Sequence, residues 1–437
     1  MNPLAQELND QLKKENSFVY EMLSQKGKEL FFPKGILSQS AEAKAKATKF
    51  NATIGIATEG GVAMYLPCIQ EHLEGITPNE AFPYAPAAGK PELRKKWQEK
   101  QLAENSSLKG KHFSLPIVTS AITHGLALAG DLFVDDGDII VLPDKLWGNY
   151  RLIFGTRLGA QFKTFPLYNE ENRFNTKGLE QVLKETARGR SKIIVLLNFP
   201  NNPTGYSIDP EEADAICGVL KEVASQGANM VVVSDDAYFG LFYGDQVMQE
   251  SLFSRTANLD ERILAVKLDG ATKEQFVWGF RVGFVTFAAG GKGNSDIVYD
   301  VLGKKTMGAI RGGISNCAHL SQTLVLKSLE SSSFAEEKRQ KFEVLKARAL
   351  KVKEVLGNEK YDDAWTYYPF NAGYFMCLRL KSVNAEALRK HILDKYGVGV
   401  ISVGDTDVRV AFSCTEVGDI QELFDLIYQG VQDLSKK

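Results

Sequence analysis

Between residues 116 and 235, short apolar runs alternate with amphipathic stretches, and this alternation constrains the fold more than any other feature. The runs are IVTS, DIIVLP, AQFKTF, KIIVLLNF and NMVVVSD, and helical patterns separate several of them. Strands separated by helices are typical of a mainly parallel sheet whose two faces are both covered. We therefore predict an α/β unit in which these runs are buried strands.

The sequence changes in texture after Ser331. A long, highly charged helical pattern, SFAEEKRQKFEVLKARALKVKEVLG, is followed by AGYFMCLRL, a helix through His391, GVGVIS, DVRVAFS and a final helix from Glu416. Helices combined with a small set of strands indicate a second, smaller α+β unit.

Composition argues against several classes of partner. A formal net charge of -2 over 437 residues gives no reason to expect nucleic acid or a membrane surface. The longest apolar runs, IIVLL and MVVV, are far shorter than the roughly 20 residues needed to span a bilayer, and the N-terminal residues lack the pattern of a secretory signal. The five cysteines and five histidines are scattered, so we expect no disulfide framework and no metal site, and a cytoplasmic location.

Charged residues follow the apolar runs, where ligands bind in such sheets. Asp235 ends one predicted strand, and Tyr238 follows it in VSDDAYFGLFY. A carboxylate at that depth needs a cation, either in an ion pair or as a protonated nitrogen of a ligand. Lys273 follows another strand, and Arg281 lies eight residues beyond it. A desolvated lysine suits condensation with a carbonyl, and an arginine suits a phosphate.

Two further positions complete the pattern. The turn NFPNNPTG places Asn202 after KIIVLL, and DVRVAFS places Arg409 within a late strand. With these motifs in this order, residues 51–413 resemble the fold-type-I pyridoxal-phosphate aminotransferases, especially the aspartate and aromatic aminotransferase group. The resemblance implies an α/β fold: a large domain with a mainly parallel seven-stranded sheet covered by helices (65–330) and a smaller α+β domain (1–64 and 331–437).

The resemblance also implies a reaction. An α-amino group would pass by a ping-pong mechanism between an L-amino acid (aspartate, glutamate or aromatic) and a 2-oxo acid such as 2-oxoglutarate. Lys273 would carry pyridoxal 5'-phosphate as a Schiff base and move the α-proton of the substrate. Asp235 would keep the pyridine nitrogen protonated, so that the ring accepts the electrons of the carbanion. Tyr238 and Asn202 would donate hydrogen bonds to the phenolic oxygen of the ring.

The cofactor phosphate is assigned to one corner of this site. By the resemblance, Arg281 would bind it with Thr123 and the neighbouring Ile122 and His124, where SAITHGL opens a helix whose N-terminus favours an anion. Trp147, in DKLWGNY, would stack on the cofactor ring.

The resemblance assigns substrate binding to two residues. Arg409 would bind the α-carboxylate bidentately, and Gly55, in NATIGIA, would leave room for close approach of the backbone.

Two further residues are implied to act across a homodimer. FPYAPAAGKPELR resembles the segment that supplies a tyrosine to the neighbouring subunit's phosphate, which would be Tyr84. Arg311, in IRGGISN, matches the position from which the aspartate group extends an arginine to the substrate's distal carboxylate. Gly312 and Gly313 suggest a sharp turn there that would expose this side chain. The active site would then be composite.

The sequence departs from the family pattern at three places. Gly270 stands where the family usually has a serine, three residues before the lysine. Ala121 and Ile122 replace the usual Ser/Gly opening of the phosphate-binding turn, so we expect two contacts to phosphate to be missing. Tyr150 stands where the aspartate group often has a histidine behind the ring-binding aspartate.

Three other functions share parts of this pattern. A β-lyase, decarboxylase or synthase of the same fold would share the lysine, the aspartate and the arginine, and half-transamination with 2-oxoglutarate would exclude it. A non-catalytic cofactor-binding regulator usually needs a DNA-binding appendage, but residues 1–50 lack a basic helix-turn-helix signature. A nicotinamide dehydrogenase is suggested only by the alternating strands, and no G-x-G-x-x-G follows the first of them.

Overall fold

The computed structural model describes residues 1–31, 35–190 and 192–435. Its largest element is a seven-stranded sheet of β1 (Ile117–Ser120), β2 (Ile139–Pro143), β3 (Gln161–Phe165), β4 (Lys192–Asn198), β5 (Asn229–Asp235), β6 (Ile263–Gly270) and β7 (Val282–Ala289). The strand order is β1-β7-β6-β5-β4-β2-β3. Strand β7 is antiparallel to both its neighbours, and the other pairs are parallel. The predicted mainly parallel sheet is confirmed.

The central strands are apolar on both faces because helices cover both. In β4, Ile193 and Val195 belong to one apolar cluster, whereas Ile194 and Leu196 belong to another on the opposite face. Continuous apolar runs are typical of strands in this environment.

Helices surround the large sheet on both sides. The longer ones are Pro91–Glu104, Ala121–Phe133, Thr176–Ala187, Pro210–Ser225, Ser295–Gly313 and His319–Glu330. Short helices are Pro67–Glu71, Pro78–Ala81, Leu252–Thr256 and Ala271–Glu274, together with a π-helix at Arg151–Thr156. The Pro210–Ser225 helix begins with a capping box, in which Asp209 and Glu212 each accept the other's backbone N–H.

The second unit is built around a four-stranded antiparallel sheet, which confirms the predicted α+β unit. Its strands are β8 (Trp365–Tyr367), β9 (Phe375–Leu380), β10 (Ile401–Val403) and β11 (Asp407–Ala411), in the order β8-β9-β11-β10. The helices Phe334–Leu356, Ala385–Tyr396 and Ile420–Ser435 contribute buried side chains to the same apolar cluster as these strands.

The N-terminal segment reaches both units. It contains the helices Pro3–Glu15, Ser17–Met22, Gln25–Glu29 and Ile36–Lys46. Met1 and Glu29 line a groove together with Arg151 and Phe162 at the edge of the large sheet. Farther along the chain, the two-residue strand Phe50–Asn51 pairs with Val398–Gly399 of the second unit. The domain boundaries at residues 64 and 330 stay a prediction.

Two smaller observations complete the fold. The strands Thr58–Glu59 and Val62–Ala63 form a short hairpin. Within the described ranges, no helix combines the length and the apolar character needed to cross a membrane.

Candidate active site

The loops that follow five strands of the large sheet meet at one cavity of about 230 Å³. The side chains that line it are Ile122, Thr123, Trp147, Tyr150, Asn198, Asn202, Asp235, Ala237, Tyr238, Lys273 and Arg281. Eight of these are predicted site residues; Tyr150 was identified only as a departure from the family, and Asn198 and Ala237 were missed.

Asp235 is a buried carboxylate at the end of β5, with 2% of its surface exposed. The hydroxyl of Tyr150 donates to its Oδ2 at 2.6 Å, and the amide of Ala237 donates to its Oδ1 at 3.1 Å. Burial raises the pKa of Asp235, and these hydrogen bonds and the charge of Lys273 partly oppose that rise. A cationic ligand group in the cavity would compensate the buried negative charge.

Lys273 lies directly after β6, in the four-residue helix Ala271–Glu274. Burial lowers the pKa of its amine to about 8, the positive charge of Arg281 lowers it too, and Asp235 partly opposes the change. An amine with this pKa is unprotonated in a useful fraction of molecules near neutral pH, as a nucleophile toward a carbonyl must be.

The helix Ala121–Phe133 begins at the cavity without a side-chain cap. Ile122 and Thr123, in its first turn, line the cavity together with Arg281. The backbone N–H of Ala121 donates to the carbonyl of Arg281 at 3.1 Å, which joins the two segments. Free N–H groups of a helix N-terminus beside a guanidinium form a suitable site for a phosphate.

The ring of His124 bonds to the backbone at the start of its own helix. Its Nδ1 accepts a hydrogen bond from the backbone N–H of Ser120 at 3.0 Å. Burial lowers the pKa of the ring, which favours the neutral form that this bond requires. His124 is also outside the described set of cavity-lining residues. The histidine therefore satisfies the backbone at the start of its own helix.

Gly270 departs from the family pattern for a steric reason. It faces Gly283 across β6 and β7, and a Cβ on Gly270 would lie 2.7 Å from the carbonyl oxygen of Val282. A Cβ on Gly283 would in turn lie 2.7 Å from the carbonyl carbon of Ala121, whose φ is 61°. Three backbone segments are thus stacked without room for side chains, and a serine at residue 270 would not fit.

Two asparagines connect β4 to the site. The side chain of Asn198 donates to the carbonyl of Asp235 at 2.8 Å and accepts from the backbone N–H of Asn202 at 2.8 Å. Asn198 therefore holds the turn that carries Asn202. The sequence could have indicated Asn198, because it is the polar residue that directly follows the apolar run KIIVLL.

Arg409 brings the second unit to the site. It is 2% exposed, and its guanidinium donates to Oδ1 of Asn202 at 3.1 Å and to the carbonyl of Thr53 at 2.8 Å. The guanidinium carbon lies 4.1 Å from the ring centroid of Phe375. Its Nε is buried and has no hydrogen-bond partner among the described residues. A buried guanidinium held by neutral acceptors and an aromatic ring is suited to an incoming carboxylate.

Tyr238 stands between the lysine and the second unit. The amine of Lys273 lies 5.3 Å from the centroid of its ring. A Cβ on Gly55 would lie 3.6 Å from its hydroxyl and 3.4 Å from Phe375, so Gly55 lies beside both aromatic side chains. Trp147 lines the cavity and meets Tyr150 edge to face at 5.5 Å.

Tyr84 and Arg311 lie away from this cavity in the single chain. Tyr84 is 86% exposed. Arg311 is exposed in the last turn of the Ser295–Gly313 helix, and it donates to the hydroxyl of Ser315 at 2.5 Å. The expectation of a sharp turn at Gly312 and Gly313 is wrong, because both continue the helix and the backbone reverses only at Ser315, whose φ is 67°.

The chain is similar to known aminotransferases in sequence and in structure. Residues 68–427 match the family model described as aminotransferase class I and II. A probable aspartate/prephenate aminotransferase of Aquifex aeolicus is 32% identical over 225 residues, which are 50% of each protein. The matched segment thus spans about half the length of that relative. An aspartate aminotransferase of Pyrococcus horikoshii is 24% identical over 345 residues, 76% of this chain and 79% of the relative.

Solved structures share the fold over nearly the whole chain. An aminotransferase from Anaerococcus prevotii superposes with a TM-score of 0.81 at 25% identity, covering 95% of this chain and 100% of the other. A kynurenine aminotransferase of Pyrococcus horikoshii, solved with pyridoxamine phosphate (PMP), superposes with a TM-score of 0.78 at 17% identity, covering 96% and 99%.

Proposed function

The chain belongs to the class I and II aminotransferases, and we propose that it is a pyridoxal-phosphate-dependent aminotransferase. It transfers the α-amino group of aspartate, glutamate or an aromatic L-amino acid to a 2-oxo acid such as 2-oxoglutarate. The observation that carries the proposal is one cavity in which the desolvated amine of Lys273 and the buried carboxylate of Asp235 face the same space.

The residues present fit the cofactor by their chemistry. The amine of Lys273 can bond to an aldehyde, and Asp235 offers a buried negative charge to a protonated ring nitrogen. The uncapped helix start and Arg281 can hold a phosphate. When bound, pyridoxal phosphate supplies an electron sink for the negative charge that develops at the substrate's α-carbon.

The protein's own residues supply positioning and proton transfer. Lys273 would hold the cofactor through its amine, and the same amine would move the substrate's α-proton. Asp235 would keep the ring nitrogen protonated, and Tyr150 orients that carboxylate. Tyr238 and Asn202 would donate hydrogen bonds to the ring oxygen, and Trp147 would cover the ring.

Substrate binding is assigned to the second unit. Arg409 binds the α-carboxylate through a guanidinium that Asn202, Thr53 and Phe375 already orient. This preorganisation lowers the entropy lost when substrate binds. Gly55 keeps the approach beside Tyr238 open.

We further propose a homodimer with composite active sites. Large apolar side chains are exposed in the segment that contains Tyr84, among them Phe82 at 82% and Tyr65 at 50%. Ile314, beside Arg311, is 43% exposed. Apolar side chains concentrated at two predicted intersubunit segments support burial against a second copy. A cytoplasmic location is supported by the free thiols of all five cysteines.

A panel of amino donors with 2-oxoglutarate tests the proposed reaction. We expect glutamate formation from 2-oxoglutarate with at least one of aspartate, tyrosine and phenylalanine, and none from the Lys273→Ala variant. Release of ammonia or carbon dioxide from the donor, without glutamate, would instead support a lyase or a decarboxylase. Binding of pyridoxal phosphate without conversion of any donor would favour a regulator.

A further inference from the structure

The backbone of Lys273 is attached to the second unit by a tyrosine far away in the sequence. The hydroxyl of Tyr374 donates to the carbonyl oxygen of Lys273 at 2.9 Å. Tyr374 has no exposed surface, and burial raises the pKa of its hydroxyl well above the ordinary value, so the hydroxyl keeps its proton. The donor is therefore present at every pH at which an enzyme of this kind is assayed.

Tyr374 and its neighbour Phe375 also contact the other functional side chains. The ring of Tyr374 meets the ring of Tyr238 edge to face at 5.4 Å. Phe375 lies against Tyr238 at 5.5 Å and under the guanidinium of Arg409 at 4.1 Å. Two adjacent residues, one directly before β9 and one at its first position, thus contact the lysine turn, the tyrosine and the proposed carboxylate-binding arginine.

The turn that carries Lys273 depends on such external contacts. It is a helix of only four residues, Ala271–Glu274, which is too short to be stable by itself. Glu274, in the same turn, pairs with Lys338 of the second unit at 3.0 Å and with Lys100 of the large unit at 2.8 Å. The position of the Lys273 amine therefore follows from where its neighbours hold the backbone.

We propose that Tyr374 is a positioning residue for Lys273. By donating a hydrogen bond to the backbone carbonyl of Lys273, Tyr374 fixes the position of the lysine relative to Tyr238 and Arg409. The inference rests on the proposed function, in which the amine must stand at a fixed distance from the substrate's α-carbon. Misplacement of a reacting group by about 1 Å costs a reaction as much as 100-fold in rate.

The Tyr374→Phe variant tests this role without unfolding the turn. The carbonyl of Lys273 keeps a second partner, the amide of Phe276 at 3.3 Å, so no buried acceptor is orphaned. We expect kcat of the holoenzyme to fall by about tenfold, the effect of one hydrogen bond together with a small displacement. The KM for the amino donor should stay within about twofold, because Arg409 retains its partners.

A second measurement needs no cofactor. In the apoprotein, the rate of acetylation of Lys273 by acetic anhydride, followed by mass spectrometry against pH, gives the pKa of its amine. In Tyr374→Phe the amine is less confined and better hydrated, so this pKa should rise above the wild-type value. If Tyr374 only filled space, the substitution would lower the melting temperature and leave the pKa of Lys273 unchanged.

Tyr168→Phe is the matched control, because the Tyr168 hydroxyl donates to another backbone carbonyl, that of Pro369, at 3.1 Å. It should change neither kcat nor the pKa of Lys273. Wild-type kcat together with a wild-type lysine pKa in Tyr374→Phe would overturn the proposal, as would equal effects in Tyr168→Phe. If the wild-type protein converts no donor, the proposed function fails, and the lysine pKa in the apoprotein still decides the role of Tyr374.

Discussion

The hydroxyl of Tyr150 lies 2.6 Å from Oδ2 of Asp235, and both side chains are buried. Burial raises the pKa of the carboxyl, and the hydrogen bond from Tyr150 is the strongest influence that lowers it again. The tyrosine, in the place where related enzymes often have a histidine, therefore favours the charged form of Asp235 that the proposed reaction needs.

Tyr150→Phe should for this reason shift activity along the pH axis. Without the donor, the pKa of Asp235 rises further, and a larger fraction of the carboxyl is neutral at acid pH. We expect kcat to fall by roughly 10-fold to 100-fold, from the loss of a hydrogen bond to a charged group. The acid limb of the pH profile of kcat should move to higher pH. An unchanged acid limb would show that the hydroxyl does not control the charge of Asp235.

Lys273 should impose a pH dependence on the stability of the apoprotein. Its pKa is about 8 in the folded chain and is ordinarily 10.5. Between these values the unfolded chain binds more protons than the folded one, so the free energy of unfolding rises with pH in this window. Lys273→Met should remove that rise and stabilise the apoprotein below pH 8 by on the order of 3 kcal/mol.

Urea denaturation of the apoprotein from pH 7 to pH 10 measures this difference. Lys304→Met, which alters a lysine that is 68% exposed, serves as the control and should leave the pH dependence of wild type unchanged. Parallel stability curves for wild type and Lys273→Met would mean that the amine is not desolvated.

Gly270→Ser should be harmful although it restores the residue that the family usually has. The added Cβ would lie 2.7 Å from the carbonyl oxygen of Val282 and 2.8 Å from Cα of Gly283. We expect a loss of roughly 1–3 kcal/mol in the free energy of unfolding, as for other overpacked sites, and no gain in affinity for pyridoxal phosphate. Gly270→Ala should lower the free energy of unfolding as much. Gly218→Ala should not lower it, because the added Cβ would lie in open space. Tighter cofactor binding by Gly270→Ser would contradict the steric explanation.

Local sequence signals predicted the part of the site that lies on the large sheet. Asp235 ends a strand whose last six residues are all buried, and Lys273 follows the next strand in the chain. A charged residue at the end of an apolar run is visible without any knowledge of distant contacts, and parallel strands bring such ends to one edge. The same rule would have found Asn198, which also ends a buried strand.

Contacts between distant segments could not be predicted in this way. The partners of Arg409 are Asn202, Thr53 and Phe375, and only the folded chain brings them together. The ring of His124 accepts a hydrogen bond from the backbone N–H of Ser120, four residues earlier. Packing between distant segments and hydrogen bonding to the backbone determine these contacts, and neither leaves a distinct pattern in the sequence.

Mixed dimers test whether Tyr84 acts in the neighbouring subunit. Tyr84→Phe subunits and Lys273→Ala subunits should each have little activity, and after subunit exchange about half of the dimers should be hybrids. If the tyrosine acts across the interface, one of the two sites in each hybrid has all native groups, so activity should reappear. The control mixes Asp235→Ala with Lys273→Ala subunits. It should show no recovery of activity, because both residues belong to the site of one chain and each site of the hybrid lacks one of them. No recovery despite proven exchange would place Tyr84 in its own subunit's site.

The last prediction concerns Arg311 and substrate choice. Its guanidinium is exposed in the single chain and donates to the hydroxyl of Ser315, so it is accessible to a second subunit. If it binds the distal carboxylate there, Arg311→Ala should remove a charged partner from a buried ligand group, at a cost on the order of 2–5 kcal/mol. At ~1.4 kcal/mol per tenfold, kcat/KM for aspartate and glutamate should fall by roughly 30-fold to several thousand-fold.

Uncharged donors provide the internal control for this variant. Phenylalanine has no distal carboxylate, so its kcat/KM should change little in Arg311→Ala. Lys304→Ala, which removes another cation from the same helix, should leave both classes of substrate unaffected. Equal losses for aspartate and phenylalanine in Arg311→Ala would assign the arginine a structural role. The proposed preference for dicarboxylic substrates would then be wrong. The assignment as an aminotransferase would stand, because that assignment depends on Lys273 and Asp235 and not on the residue that selects the substrate's side chain.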